Sequence, residues 1–424
     1  MLAASLQLGG YFAGGSSDSS TMARARTALQ AAVARARAFP GSHPENLKAE
    51  LHGSDQKVSR RALFTLPPVS YVSAPTIDRR LCTAAEGCAQ CVEACPHGAL
   101  ALDGDEVLVN RASCESCGVC VAACPQRAVE FPGWSPQELE AQVASLLETE
   151  ADLGSRSVVF VCKSSSTEPD TSWLPVRVPG LSMVSVGVIL GTLSRGASAV
   201  GLCPCAEDCQ GGVSRTVEDR IDYCRQLLGM LGEPSEADRV MFVRSEDTAA
   251  PEGSSGSRKI PEEPVRLFGR GEVADVVEIL AGQYGVTELE LAHPQSPLGK
   301  VVIDEKVCTG CGTCGMVCPT GAMAFERRDD GIAVTFDASL CTGCRQCVSL
   351  CPEAAGGAIS LTQATDLRCI AQGRRVLFQS EEARCERCGG AVASRPMLER
   401  IAAVLGDDYH PQFMEKLCVD CRAM

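Results

Sequence analysis

Sixteen cysteines stand in four runs whose spacing suits iron. The first run is Cys82, Cys88, Cys91 and Cys95 before Pro96, and the second is Cys114, Cys117, Cys120 and Cys124 before Pro125. The third is Cys308, Cys311, Cys314 and Cys318 before Pro319, and the fourth is Cys341, Cys344, Cys347 and Cys351 before Pro352. Three thiolates in a tight loop wrap three irons of one 4Fe–4S cube, and the fourth, before proline, reaches across to a second cube. Proline fixes φ there and stops the chain from running straight on. Small residues between the ligands (Gly118, Gly310, Gly312, Gly343) let backbone N–H groups approach the anionic sulfurs. Five residues separate Cys82 from Cys88, so Cys82 departs most from the pattern. Zinc knuckles or disulfides are the bland alternative, and four successive Cys-Pro endings argue against them.

The two eight-cysteine units also agree between their motifs. Gly98-Ala99-Leu100-Ala101 matches Gly321-Ala322-Met323-Ala324, each followed by a polar turn and an alternating strand. On these residues each unit resembles the bacterial dicluster ferredoxin fold. That resemblance implies a pseudo-twofold pair of β-hairpins and short helices around two 4Fe–4S clusters, hence four clusters in the chain.

Ten of the 26 cysteines remain. Cys385-x2-Cys388 and Cys418-x2-Cys421 make a four-thiolate set of zinc-ribbon-like type, read as structural zinc with rubredoxin-like iron as the alternative. His410 lies nearby and reads as a surface residue. Cys224 falls on the apolar face of a helix and reads as core, and Cys369 as structural. Cys162 ends one strand-like run, and Cys203, Cys205 and Cys209 follow another. In a parallel sheet both ends fall on the carboxyl edge, where those four thiols could meet.

These ligands need several domains to hold them, and the pattern predicts an α+β and α/β multidomain chain. Residues 1–75 read as a weakly structured strap with an Arg/Ala-rich helical run over 21–39. Residues 76–131 form the first dicluster unit, and 132–154 a helical connector with Leu139, Val143 and Leu146 on one face. Residues 155–245 alternate strand and helix patterns, which predicts a small α/β domain with a parallel sheet. A linker over 246–263 and a strand-helix-strand segment over 264–300 precede the second dicluster unit at 301–361. The four-cysteine metal module occupies 362–424.

The α/β region resembles the delta subunit family of methyl-viologen-reducing hydrogenases. The likeness rests on Val158 to Cys162, on Val186 to Leu190 before Gly196-Ala197, on Gly201-Leu202-Cys203 to Asp208-Cys209-Gln210, on the helix Arg220 to Gly232 and on Asp238-Arg239-Val240. It implies a 2Fe–2S cluster, and partners consisting of a hydrogenase or formate dehydrogenase and a flavin-containing, heterodisulfide-reductase-like subunit. Two departures stand out. Cys162 is followed by Lys163-Ser164-Ser165-Ser166 where the family has a second cysteine, and Val178-Pro179-Gly180-Leu181-Ser182 replaces a Cys-Ser-Gly segment. Cys205 is an extra thiol that could take the missing place. A 2Fe–2S site on Cys162, Cys203, Cys205 and Cys209 and a docking domain without a cluster both stay open.

Composition narrows the partners. Lys and Arg number 39 against 53 Asp and Glu, a net charge of −14 that argues against nucleic acid. The longest apolar stretch, 181–202, is broken by Ser, Gly and Arg195, so no membrane span is expected. Ser59-Arg60-Arg61-Ala62-Leu63-Phe64 resembles a twin-arginine signal but lies deep in the chain before Pro67-Pro68, and the cytoplasm is the expected location. Gly269-x-Gly271-x2-Ala274, with Glu288 and Glu290 beyond it, imitates a dinucleotide fingerprint in a unit too short to carry one. The reading is an electron-transfer subunit of a larger oxidoreductase complex. The alternative is a self-contained flavin- or nicotinamide-dependent iron–sulfur enzyme.

Overall fold

Val158, Val159, Phe160 and Val161 are wholly buried, as a β-branched strand covered on both faces requires. A computed structural model describes residues 19–39, 47–50, 70–148, 156–205, 213–251, 272–328 and 331–422. The chain divides into two compact units, Met1–Gly285 and Val286–Met424. In the first, the strand Ser157–Cys162 pairs with Trp173–Val178 on one side and Val200–Cys203 on the other, with Val240–Phe242 beyond. Every pairing is parallel. The strand Trp173–Val178 is not legible from sequence, because Pro175 argues against it. It survives because it lies at the sheet edge, where a missing N–H costs no ladder bond.

The helices Val186–Ser194 and Val213–Leu231 pack on this sheet, and Ser185 Oγ caps the first by accepting from the Val188 N–H at 3.3 Å. The helix Glu272–Tyr284 belongs to the same unit, and Gly187 leaves room for its Val273. Within the first dicluster region, Thr76–Ile77 pairs antiparallel with Val129–Glu130, and Leu100–Asp103 forms a hairpin with Glu106–Val109. Two short helices, Gln90–Glu93 and Val119–Ala123, carry ligand cysteines.

The connector helix Pro136–Leu147 starts in a capping box: Ser135 Oγ accepts from the Glu138 N–H, and Glu138 Oε2 accepts from the Ser135 N–H at 2.9 Å. The helix Ser19–Ala38 lies against it, with the Arg35 guanidinium 4.0 Å over the Trp134 ring and bonded to Gln142 Oε1 at 3.3 Å. The Arg/Ala-rich run expected to be helical over 21–39 is thus a helix packed on the connector, and most of the remaining residues of 1–75 lie outside the described ones.

In the second unit Met323–Arg328 pairs with Gly331–Phe336, which Arg375–Ser380 extends. Gly299–Ile303 pairs with Ile359–Asp366, which Glu290–Ala292 extends on its other side. All these pairings are antiparallel. The expected strand-helix-strand segment is thus divided, its helix in the first unit and its strand Glu290–Ala292 in the second. A small hairpin, Glu382–Arg384 with Ala391–Ser394, precedes the helix Arg395–Leu405 and the short helices Pro411–Met414 and Val419–Arg422. Among the described residues, no helix is long and apolar enough to cross a membrane.

The capping box makes a simple test of the connector. Replacing Ser135 with Ala should cost about 1 kcal/mol in that helix. Hydrogen exchange over 136–147 should then rise by about fivefold.

Candidate metal centres

The first unit gathers two sets of four thiols. Burial raises the Cys91 thiol pKa, and Cys124, Cys82 and Cys88 lie close enough around it to raise it further. Cys95, Cys114, Cys117 and Cys120 line one pocket, together with His97, Leu100 and Phe131. The cysteine before each proline has crossed over: Cys124 joins the first-run ligands and Cys95 the second-run ligands. The second unit repeats the exchange. Cys351 joins Cys308, Cys311 and Cys314 around one pocket, and Cys318 joins Cys341 and Cys344 beside Cys347. Cys82 sits with its set because a turn at Ala84–Glu86, closed by Gly87 at φ 84°, takes up the extra residues.

Backbone N–H groups point at these sulfurs. Ala99 donates to Cys95 Sγ at 3.3 Å, Ala128 to Cys124 Sγ at 3.2 Å and Met323 to Cys318 Sγ at 3.3 Å. Left-handed backbone aims the loops: Ser116, Gly310 and Gly343 share one loop position, and Gly118, Gly312 and Arg345 share another, all with φ between 54° and 80°. Ser116 and Arg345 hold this conformation with a Cβ, at some steric cost.

Sulfur spacing separates the two kinds of site. Among the described residues, the set of metal-binding side chains whose ligand atoms all lie within 4.8 Å of one another is Cys385, Cys388, Cys418 and Cys421. That set suits one tetrahedral ion. The ferredoxin-run thiols line wider pockets, and four soft donors with amides aimed at them fit a 4Fe–4S cube. Cys385 follows the first strand of the small hairpin, its N–H donating to the Gly390 carbonyl at 2.8 Å, and Cys388 Sγ lies 3.6 Å from Cys418 Sγ. Backbone N–H groups of Cys418 and Cys388 hold the Cys385 thiol down at about 6. One ligand of this set is therefore a thiolate at neutral pH before any metal arrives.

Several buried thiols of the ferredoxin runs go the other way. Burial, then neighbouring thiols, push Cys91 up to about 11 and Cys314 and Cys347 up to about 12. Burial also raises Cys114, Cys117, Cys120 and Cys124. A raised thiol pKa stabilises the metal-free fold below the ordinary thiol range and loses that contribution as pH rises through the folded value. Ligation needs thiolates, so cluster assembly must expel these protons. Reconstitution of metal-free chain with iron and sulfide should acidify the medium, and its yield should fall as pH drops from about 8 to about 6.

One glycine outside the motifs matters as much as those inside. The Gly299 N–H donates to the Cys341 sulfur, and a Cβ at 299 would come within 2.8 Å of it. Gly299→Ala should cost the Cys318, Cys341, Cys344 and Cys347 site its occupancy, lowering iron by about four per chain while the other sites stay filled. Unchanged iron in this variant would show that the site tolerates the methyl.

The thiols of the sheet edge are less regular. Cys162 and Cys205 lie close together, each near enough to perturb the other. Cys203 pairs in register with Val161 and shares its face with Val159 and Trp173, so it points away from Cys162 on the alternating strand. Cys203 Sγ instead meets Ser165 Oγ at 3.5 Å. Cys209 lies outside the described residues, as do Gly269 and Gly271 of the glycine motif. Ala274 lies in the first turn of the helix Glu272–Tyr284, but Glu290 enters an antiparallel strand of the second unit, not the parallel sheet a dinucleotide fold uses. Cys224 is buried on its helix, and Cys369 Sγ donates to Asp366 Oδ2 at 3.2 Å.

Two family models match the chain, both described as a 4Fe-4S dicluster domain, one over residues 74–125 and the other over 307–355. No curated protein matches it. The two matched segments contain all sixteen cysteines of the four runs. They support an iron–sulfur electron-transfer role, and the C-terminal cysteine group could bind a metal of its own.

Proposed function

From two 4Fe-4S dicluster domains as premise, we propose that the chain is the iron–sulfur electron-transfer subunit of a cytoplasmic oxidoreductase complex. It relays electrons through four 4Fe–4S clusters between a catalytic subunit of hydrogenase or formate dehydrogenase type and a flavin-containing or heterodisulfide-reductase-like partner. The observation that carries this reading is the repeated ligand exchange, Cys95 with Cys124 and Cys318 with Cys351. It binds two cubes into each domain, the arrangement of a relay. The polypeptide would set potentials through burial and N–H···S bonds such as that from Ala128 to Cys124. Structural zinc fits the closely spaced C-terminal thiols. A 2Fe–2S centre needs four thiolates, and at the sheet edge Cys203 faces away from the Cys162–Cys205 pair, so this relay counts four cubes.

Chain purified without oxygen should carry about sixteen irons and about one zinc. Crosslinking in its native extract, followed by mass spectrometry, should recover a catalytic oxidoreductase subunit and a flavoprotein. Iron near eight with both dicluster domains intact would defeat the four-cube relay. A chain recovered only with itself would defeat the subunit assignment.

A further inference from the structure

The carboxyl edge of the parallel sheet carries two thiols that none of the sites above uses. Cys162 closes the central strand, and Cys205 follows the neighbouring strand Val200–Cys203 by two residues. Val161 pairs in register with Cys203, so Cys205 passes just beyond the end of the Cys162 strand, close enough for the two thiols to perturb each other. They differ in access: Cys162 is 4% exposed, whereas Cys205 is only partly buried.

This edge is seated on the second ligand loop of the first dicluster domain, within the same unit. Cys162 Sγ lies 4.0 Å from the Pro179 carbonyl oxygen. The next residue, Gly180, packs so tightly that a Cβ there would come within 2.3 Å of the Cys117 carbonyl oxygen. Lys163 Nζ donates to the Glu115 carbonyl at 3.4 Å, and Met183 lies in one core with Cys114, Cys120 and Phe131. The buried Arg220 guanidinium fixes the turn by donating to the Ser182 and Val184 carbonyls at 2.9 and 3.0 Å. The Pro179–Gly180 backbone thus links the dithiol to the ligand loop, with the Lys163 bond to Glu115 beside it.

We propose that Cys162 and Cys205 are a redox-active dithiol that reduces a disulfide substrate and is regenerated through the neighbouring iron–sulfur site. The more exposed Cys205 gives its proton to solvent and attacks a substrate sulfur. The substrate S–S bond breaks, and the departing sulfur takes up a proton. Cys162, also deprotonated to solvent, then attacks Cys205 Sγ in the mixed disulfide, releases the second substrate thiol and leaves a Cys162–Cys205 disulfide. Two electrons and two protons reopen that disulfide to two thiols. The source of these electrons rests on the relay reading: reduced 4Fe–4S centres are one-electron donors, so reopening takes two deliveries.

The test uses the full chain, loaded with iron and sulfide without oxygen. It is equilibrated with oxidised glutathione, alkylated, digested and analysed by mass spectrometry. The peptides of Cys162 and Cys205 should be found joined, and photoreduced deazaflavin, a one-electron donor, should open the link. Cys162→Ser and Cys205→Ser should each lose the link and keep the iron content, whereas Cys203→Ser should keep both. In Cys117→Ser, which disturbs the adjoining ligand loop, the link should form and stay closed under photoreduction. Unlinked peptides in iron-loaded wild type, or a wild-type link that photoreduction leaves closed, would overturn the proposal while the relay reading stands. Loss of iron with an electron paramagnetic resonance signal in Cys162→Ser would overturn it by making Cys162 a cluster ligand. A wild-type chain that binds no iron fails the relay reading and the proposal with it.

Discussion

Everything in the two dicluster domains depends on bonding between buried thiolates and iron. Without iron, the thiols of Cys91, Cys314 and Cys347 are pushed far above their ordinary range, so the protein around them resists the charge their function needs. Metal reverses that balance, because bonding to iron repays the removal of each proton. The crossed ligands make the effect cooperative within a domain. Cys95 and Cys124 each tie one half-motif to the other half's site, so neither site is completed by its own loop alone. Short helices such as Gln90–Glu93 and Thr313–Met316 are too brief to hold shape by propensity. Ligation is what fixes them.

The C-terminal set follows a different logic. Its four sulfurs already stand close together, and the Cys385 sulfur is held low by backbone N–H groups rather than raised by burial. A preformed thiolate favours a single divalent ion at neutral pH and asks for little rearrangement. One chain therefore combines sites that must be assembled with a site that is nearly ready, and both are built from the same residue type.

The two dicluster domains were legible because iron–sulfur ligation imposes local cysteine spacing, and local spacing is what a single sequence records. The parallel sheet was legible from its apolar runs, except for Trp173–Val178, whose Pro175 is tolerated only because of its edge position. The rest depended on contacts between distant segments. Gly299 approaches Cys341 across more than forty residues of chain, and nothing in its neighbourhood marks it. Which face a strand-end thiol takes depends on the register of Val161 against Cys203, a pairing that neither strand encodes alone. The cysteines at 162 and 203 looked alike in sequence for that reason, and they part company in the fold.

The turn over residues 180–184 has a consequence for how the protein is made. Gly180 and Met183 sit on the loop of Cys114, Cys117 and Cys120, yet they lie some sixty residues further along the chain. A ribosome delivers the ligand loop first and the turn that packs on it later. Until residue 180 emerges, that loop lacks its contacts with Gly180 and Met183 and the Lys163 bond to Glu115. The turn is a late brace on a loop made early.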